Sequence, residues 1–202
     1  QRQVRSDIHR MGGCARYKSL AMYDQVNWPF PYPGQTICLE LWEPDGLRRW
    51  LPSWIGLEWV DSIAAVRLVN KDLSREMFAS VARLPYLEYL SLYGSEFQVD
   101  DLQLLAGCRS LKYLHLAGTR IGDAQMCFVS DIQSLEELTL SDTSITARGL
   151  KWLIHLPNLK RLWLDDTQVT NASLVTLATC TNLEQLSLCR TNVDDNGLQH
   201  LR

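Results

Sequence analysis

The sequence predicts an α/β solenoid: an arc with a parallel β-sheet on its concave side and short helices on its convex side, preceded by an α+β cap at the N-terminal end. Three observations predict it. Aliphatic residues recur at an interval of 24 without insertion or deletion, at Ile63, Leu87, Leu111, Leu135, Leu159 and Leu183. Three to five residues later comes an alternation such as Leu90-x-Leu92 or Leu138-x-Leu140, which has the two-residue period of a strand. Further on, a pair three apart, such as Leu102 and Leu105 or Leu150 and Leu153, has the period of a helix or tight helical turn. A unit of one strand and one helix cannot bury its own apolar face, so the units must stack.

Residues 1–60 read as the cap. Gln1 to Met11 is a polar, basic helix ended by Gly12-Gly13. Ala15 to Tyr17 and Thr36 to Trp42 are short strands, separated by the loop Asn27 to Gly34, whose three prolines forbid helix. Pro44 to Leu51 forms a short amphipathic helix, and Pro52 to Gly56 leads into the first repeat. Five of the seven Trp and five of the seven Pro precede residue 60, which suits large rings laid over the open end of a solenoid. Residues 61–202 then hold six repeats, the last incomplete. The first has Lys71 where the later ones carry Ser or Thr, and its strand is expected at Val66 to Leu68.

From Leu87 onward the units read L-x-x-L-x-L-x-x-[ST]-x-apolar, with Ser95, Thr119, Thr143, Thr167 and Thr191 at the ninth position and Phe97, Ile121, Ile145, Val169 and Val193 at the eleventh. This resembles the leucine-rich-repeat family, in which the ninth residue is usually Asn or Cys. Threonine hydroxyls are expected to replace that Asn by donating to a carbonyl of the neighbouring loop. A narrower resemblance is to bacterial leucine-rich-repeat proteins of the planctomycete type. It rests on Gly12, Gly13 and Tyr17, on Leu47, Arg48, Arg49, Trp50 and Leu51, and on Asp195, Gly197 and Leu198 in the last repeat. Asp123 keeps the acidic position of that pattern, whereas Ala147 and Asn171 depart from it, and Trp follows Leu-Arg-Arg here instead of preceding it. Members commonly carry a membrane anchor upstream of the basic helix. The resemblance therefore implies either a cytoplasmic chain or one tethered through a segment before Gln1. The sixth unit reaches Arg202 before closing, which leads to the expectation that the parent protein continues.

On such a sheet the residues between the core leucines point outward from the concave side. Three rows follow. The first is Ala65, Tyr89, Tyr113, Glu137, Arg161 and Gln185; the second is Arg67, Ser91, His115, Thr139, Trp163 and Ser187; the third is Val69, Tyr93, Ala117, Ser141, Asp165 and Cys189. Tyr89, Tyr93, Tyr113 and His115 gather over the second and third strands, with Arg161 and Trp163 two strands further on. Rigid aromatics and Arg are typical anchors of protein recognition, since they offer much contact area for little entropy lost. The candidate site is therefore Tyr89, Tyr93, Tyr113, His115, Glu137, Arg161, Trp163 and Asp165, and its partner a protein or peptide. Asp142, Asp165 and Asp166 make the rim acidic, which favours a partner of basic or mixed charge. The same residues would also serve merely to solvate and brace a sheet surface.

Other classes find little support. A formal charge of −3 without a basic tract argues against nucleic acid, and charges interrupt every apolar run long enough to insert in a membrane. No phosphate-cradling, nucleophile-elbow or zincin motif occurs, so no enzyme, metal or cofactor is expected. The histidines are scattered, and Asp165-Asp166 near Asp142 lacks the desolvation that separates the pKa values of a catalytic pair. None of the six cysteines forms a C-x-x-C pair. Cys108 and Cys180 stand at one repeat position three units apart, too far to bridge, and read as core fillers. Cys189 should face outward, as a small polar filler or a reactive thiol. Two competing functions stay open: a substrate-recognition subunit of a ubiquitin ligase, with 44–60 as an F-box-like helix, and the sensor region of a larger enzyme such as a kinase.

Overall fold

The computed structural model of the chain describes residues 38–40, 65–70 and 72–201. Seven strands form one parallel sheet: β1 (Cys38–Glu40), β2 (Ala65–Arg67), β4 (Tyr89–Ser91), β6 (Tyr113–His115), β7 (Glu137–Thr139), β8 (Arg161–Trp163) and β9 (Gln185–Ser187), neighbours in that order. Two further strands, β3 (Asp72–Leu73) and β5 (Glu96–Phe97), pair beside it. From β2 onward the register is the sequence period itself, as in Tyr89↔Tyr113↔Glu137↔Arg161↔Gln185. The first repeat's strand lies at Ala65–Arg67, one residue before its expected position. β1 falls within the strand expected at Thr36 to Trp42 and pairs with β2, so a piece of the cap region extends the sheet. The helix at 1–11, the strand at 15–17, the helix at 44–51 and the aromatic cover lie outside the described residues.

The core is the stack of periodic leucines. Leu87, Leu90, Leu111, Leu135, Leu138, Leu102, Met126, Leu150 and Leu174 are fully buried. In the sixth repeat, the last of the described units, Leu198 and Leu201 at the same phases are 46% and 38% exposed. The return segments are short because each unit has few residues left after its strand and turn. They mix α-helix, as in α1 (Arg75–Ala82) and α2 (Met126–Ser130), with 3₁₀ turns, as at Val99–Gly107 and Lys151–His155.

The ladder runs past the formal strands. Leu92 N–H donates to His115 O (2.8 Å) and Gly94 N–H to Ala117 O (2.9 Å), and the same pair of bonds recurs at every later step, down to Asp166 N–H on Cys189 O (2.9 Å). Immediately afterwards each unit turns through one left-handed residue: Asn70, Gly94, Gly118, Asp142, Asp166 and Arg190, with φ between +53° and +68°. Five of the six are Asn, Asp or Gly, the residues this region admits most readily.

The threonine expectation needs correcting. Thr119, Thr143, Thr167 and Thr191 donate to the carbonyl three residues back in their own repeat, at Leu116 (2.6 Å), Leu140 (2.5 Å), Leu164 (2.5 Å) and Leu188 (2.7 Å). Among these ninth-position hydroxyls, Ser95 alone crosses to the preceding repeat, at Leu68 O (2.7 Å). Backbone groups span the loops instead: Ser144 N–H to Ile121 O (3.1 Å) and Asn192 N–H to Val169 O (3.2 Å).

Adjacent return segments meet through particular pairs. Asp123 accepts from Thr146 N–H (2.8 Å) and Thr146 Oγ1 (2.6 Å). Its carboxylate then fills the space beside Gly149, where a Cβ would stand 2.5 Å from Asp123 Oδ1. Asn171 and Asp194 exchange two hydrogen bonds, and a Cβ on Gly197 would stand 2.4 Å from Asn171 Oδ1. In the first of these joints Arg75 pairs with Asp101 (2.6 Å). Charged residues before the strands also alternate in sign along the stack, with Lys112 on Glu88 (3.3 Å) and Lys160 on Glu136 (3.4 Å).

Candidate functional site

The strict register carries each predicted site residue to its row. Tyr89, Tyr113, Glu137 and Arg161 stand side by side on β4, β6, β7 and β8, with His115 and Trp163 in the next row and Tyr93 and Asp165 just beyond the strands. All are partly exposed, Tyr93 most at 46%. Ser91 and Ala117, expected to point outward, are instead buried. Both are small and stand between larger neighbours: Ser91 between Arg67 and His115, Ala117 one unit from Tyr93.

The aromatic side chains are braced. The Tyr93 and His115 rings lie 5.7 Å apart at 49°, a tilted stack that fixes the more exposed ring. Arg161 donates to Glu137 Oε2 (2.7 Å), and its guanidinium carbon is 5.7 Å from the centre of the Tyr113 ring. The two groups that sequence spacing sets apart are thus one connected surface, and Arg161 and Glu137 are largely committed to each other. Burial opposes the charge on Arg161, but the Glu137 hydrogen bond and charge outweigh it and raise its pKa. Burial, with Glu136 nearby, raises that of the Tyr113 phenol.

His115 is shifted the other way, downward, first by burial and then by the charge of Arg67. The unfolded chain therefore takes up a proton at this site before the folded one does. Stability should fall as pH drops below the ordinary histidine value of about 6.5, and level off below the folded value. His115→Gln should flatten that part of a plot of unfolding free energy against pH, measured by urea titration. An unchanged slope would show that His115 does not set it.

The acidic rim is less uniform than its sequence. The Arg190 guanidinium forks onto Asp166 and holds its carboxyl below the usual range. Asp165 Oδ1 accepts from Ser187 Oγ (2.5 Å) and Cys189 N–H (2.7 Å), tying one repeat to the next. Asp142 makes no ion pair among the described residues and opens onto a polar groove of about 520 Å³ shared with Thr119, Arg120, Asp166, Gln168 and Arg190. No three His, Cys, Asp or Glu side chains among the described residues are placed to hold a metal ion, and no described helix is long and apolar enough to cross a membrane. Cys108, Cys127, Cys180 and Cys189 are free thiols. Burial pushes Cys108 up to about 11 and also raises Cys180, while Cys189 is exposed on the concave side.

A leucine-rich-repeat family model matches residues 107–124, the stretch that contains β6 and its turn. The fold is a leucine-rich repeat. Among solved structures, the internalin inlF of Listeria monocytogenes is similar over 71% of this chain and 46% of its own, at 18% identity and a TM-score of 0.50. Internalin C2 of the same organism is similar over 73% of this chain and 62% of its own, at 20% identity and a TM-score of 0.54. A leucine-rich-repeat protein of Leptospira interrogans overlaps 70% of this chain and 33% of its own, at 25% identity and a TM-score of 0.48. The chain thus spans less than two thirds of the length of each, and the likeness is one of fold. No curated protein sequence matches it.

The spacing of the sequence places these residues in their rows but does not show the bonds between them. The left-handed row was visible as a run of Asn, Gly, Gly, Asp and Asp at one phase. The Arg161–Glu137 pair was visible as opposite charges one period apart.

Proposed function

We propose that this chain is a non-enzymatic scaffold that binds a protein or peptide on the concave face of its sheet. The observation that carries the reading is the Tyr93–His115 stack, continued by Tyr113–Arg161 and Trp163 on strands of fixed register. An aromatic surface held in place before binding loses little entropy on contact, which is what a recognition surface requires. The cap signature at Gly12-Gly13 and Leu47 to Leu51 supports the narrower planctomycete-type kinship, and with it a parent protein tethered upstream.

The test is to select binders for the full chain from a displayed library of random peptides and measure them on Tyr113→Ala/Trp163→Ala. Two anchors of ordinary strength predict roughly a hundredfold weaker binding, with cooperative unfolding retained. Unchanged affinity in the folded double variant would sink the reading.

A further inference from the structure

The pairing of charges along the sheet narrows the class of partner, given the concave-face reading. Among the described residues, five ion pairs join consecutive repeats along the sheet and its margins: Glu88–Lys112, Glu96–Arg120, Glu136–Lys160, Glu137–Arg161 and Asp166–Arg190. Between Lys112 and Arg190 they engage every Lys and Arg of the sheet and its margins; Arg148 and Lys151 lie on the return segments behind it. In the same stretch, three carboxylates of the sheet and its margins make no ion pair among the described residues. Asp142 follows β7, Asp165 follows β8 and Glu184 precedes β9. Arg190 stands near enough to Asp165 to feel its charge, but its fork closes on Asp166. Trp163, two residues before Asp165, shares its face of the strand.

We infer that the C-terminal half of the concave face, around Trp163, Asp142, Asp165 and Glu184, docks a lysine- or arginine-bearing segment of a protein partner. A cation there meets a partly exposed indole, with which it interacts favourably, and carboxylates that form no ion pair among the described residues. An acidic segment would meet no available cation on this part of the sheet. A metal ion is not the occupant, because the three carboxylates come from three successive units and do not converge.

The substitutions that test this keep the fold. Asp142→Asn retains a residue suited to its positive φ, and Asp165→Asn retains an oxygen for Ser187 and Cys189 N–H. Peptides selected on the full chain should carry Lys or Arg. Their affinity should fall roughly tenfold on the triple variant Asp142→Asn/Asp165→Asn/Glu184→Gln and weaken with added salt. Peptides that need Tyr113 and Trp163 yet lack a basic residue, or that keep their affinity on the triple variant, overturn the cationic docking and leave the concave-face reading standing. Peptides indifferent to Tyr113 and Trp163, or no enrichment at all, overturn both.

Discussion

Gly149→Ser should lower the free energy of unfolding by about 2 to 3 kcal/mol, a large effect for one small side chain. The added Cβ would stand 2.5 Å from Asp123 Oδ1 and 3.1 Å from both Asp123 Cα and Met126 Cγ. The carboxylate cannot move freely, since it holds both Thr146 N–H and the Thr146 hydroxyl. The chain itself supplies the control. One repeat later Ala147 stands where Asp123 does, and the residue matching Gly149 is Ser173, fully buried and hydrogen-bonded to Thr170 N–H. In an Asp123→Ala background, Gly149→Ser should therefore cost about 1 to 2 kcal/mol less than it does alone, a coupling that a double-mutant cycle in urea resolves. Strict additivity would place the conflict with Asp123 Cα or Met126 and not with the carboxylate.

Arg75→Ala should cost about 2 to 3 kcal/mol. Asp101 is 1% exposed, and its Oδ2 already lacks a hydrogen-bond partner. Removing Arg75 takes the remaining partner from Oδ1, whose bond measures 2.6 Å. An unpaired buried carboxylate costs more than the pair gains. Arg75 is 62% exposed, so solvent screens its side and the loss stays below that of a fully buried pair. The double variant Arg75→Ala/Asp101→Ala should recover most of the deficit, because the group left unsatisfied is then gone. Chemical denaturation of the three variants decides it; a double variant as unstable as Arg75→Ala would mean that the arginine acts through packing of its stem.

The sheet, the core and the outward rows were legible because one period repeats without a gap, so that a single alignment fixes every strand. Leu138 and Thr139 could be assigned to opposite faces from spacing alone. Contacts that depend on how one unit meets the next were not legible in the same way. Thr143 has one visible role in the repeat pattern, and its choice of Leu140 over the adjacent loop is not encoded in the leucine spacing. Arg161 looked like an anchor because its row points outward. The adjoining Glu137 makes it half anchor and half brace, a distinction that needs distances. Ser91 and Ala117 show the same limit, since a small side chain in an outward row is covered whenever its neighbours are tall.

The joints also give the stack a grain. Glu88, Lys112, Glu136, Lys160 and Glu184 alternate in sign, and the glycine-requiring joints fall at every second step, at Gly149 and Gly197. Excising one unit, residues 135–158, would set Lys112 against Lys160 and Asp123 against Ser173. Excising two, residues 135–182, would set Lys112 against Glu184 and Asp123 against Gly197, and both joints would match. The module that recombination can delete or copy without a mismatch is therefore a pair of repeats, and an ancestry by duplication of pairs would leave this alternation as its trace.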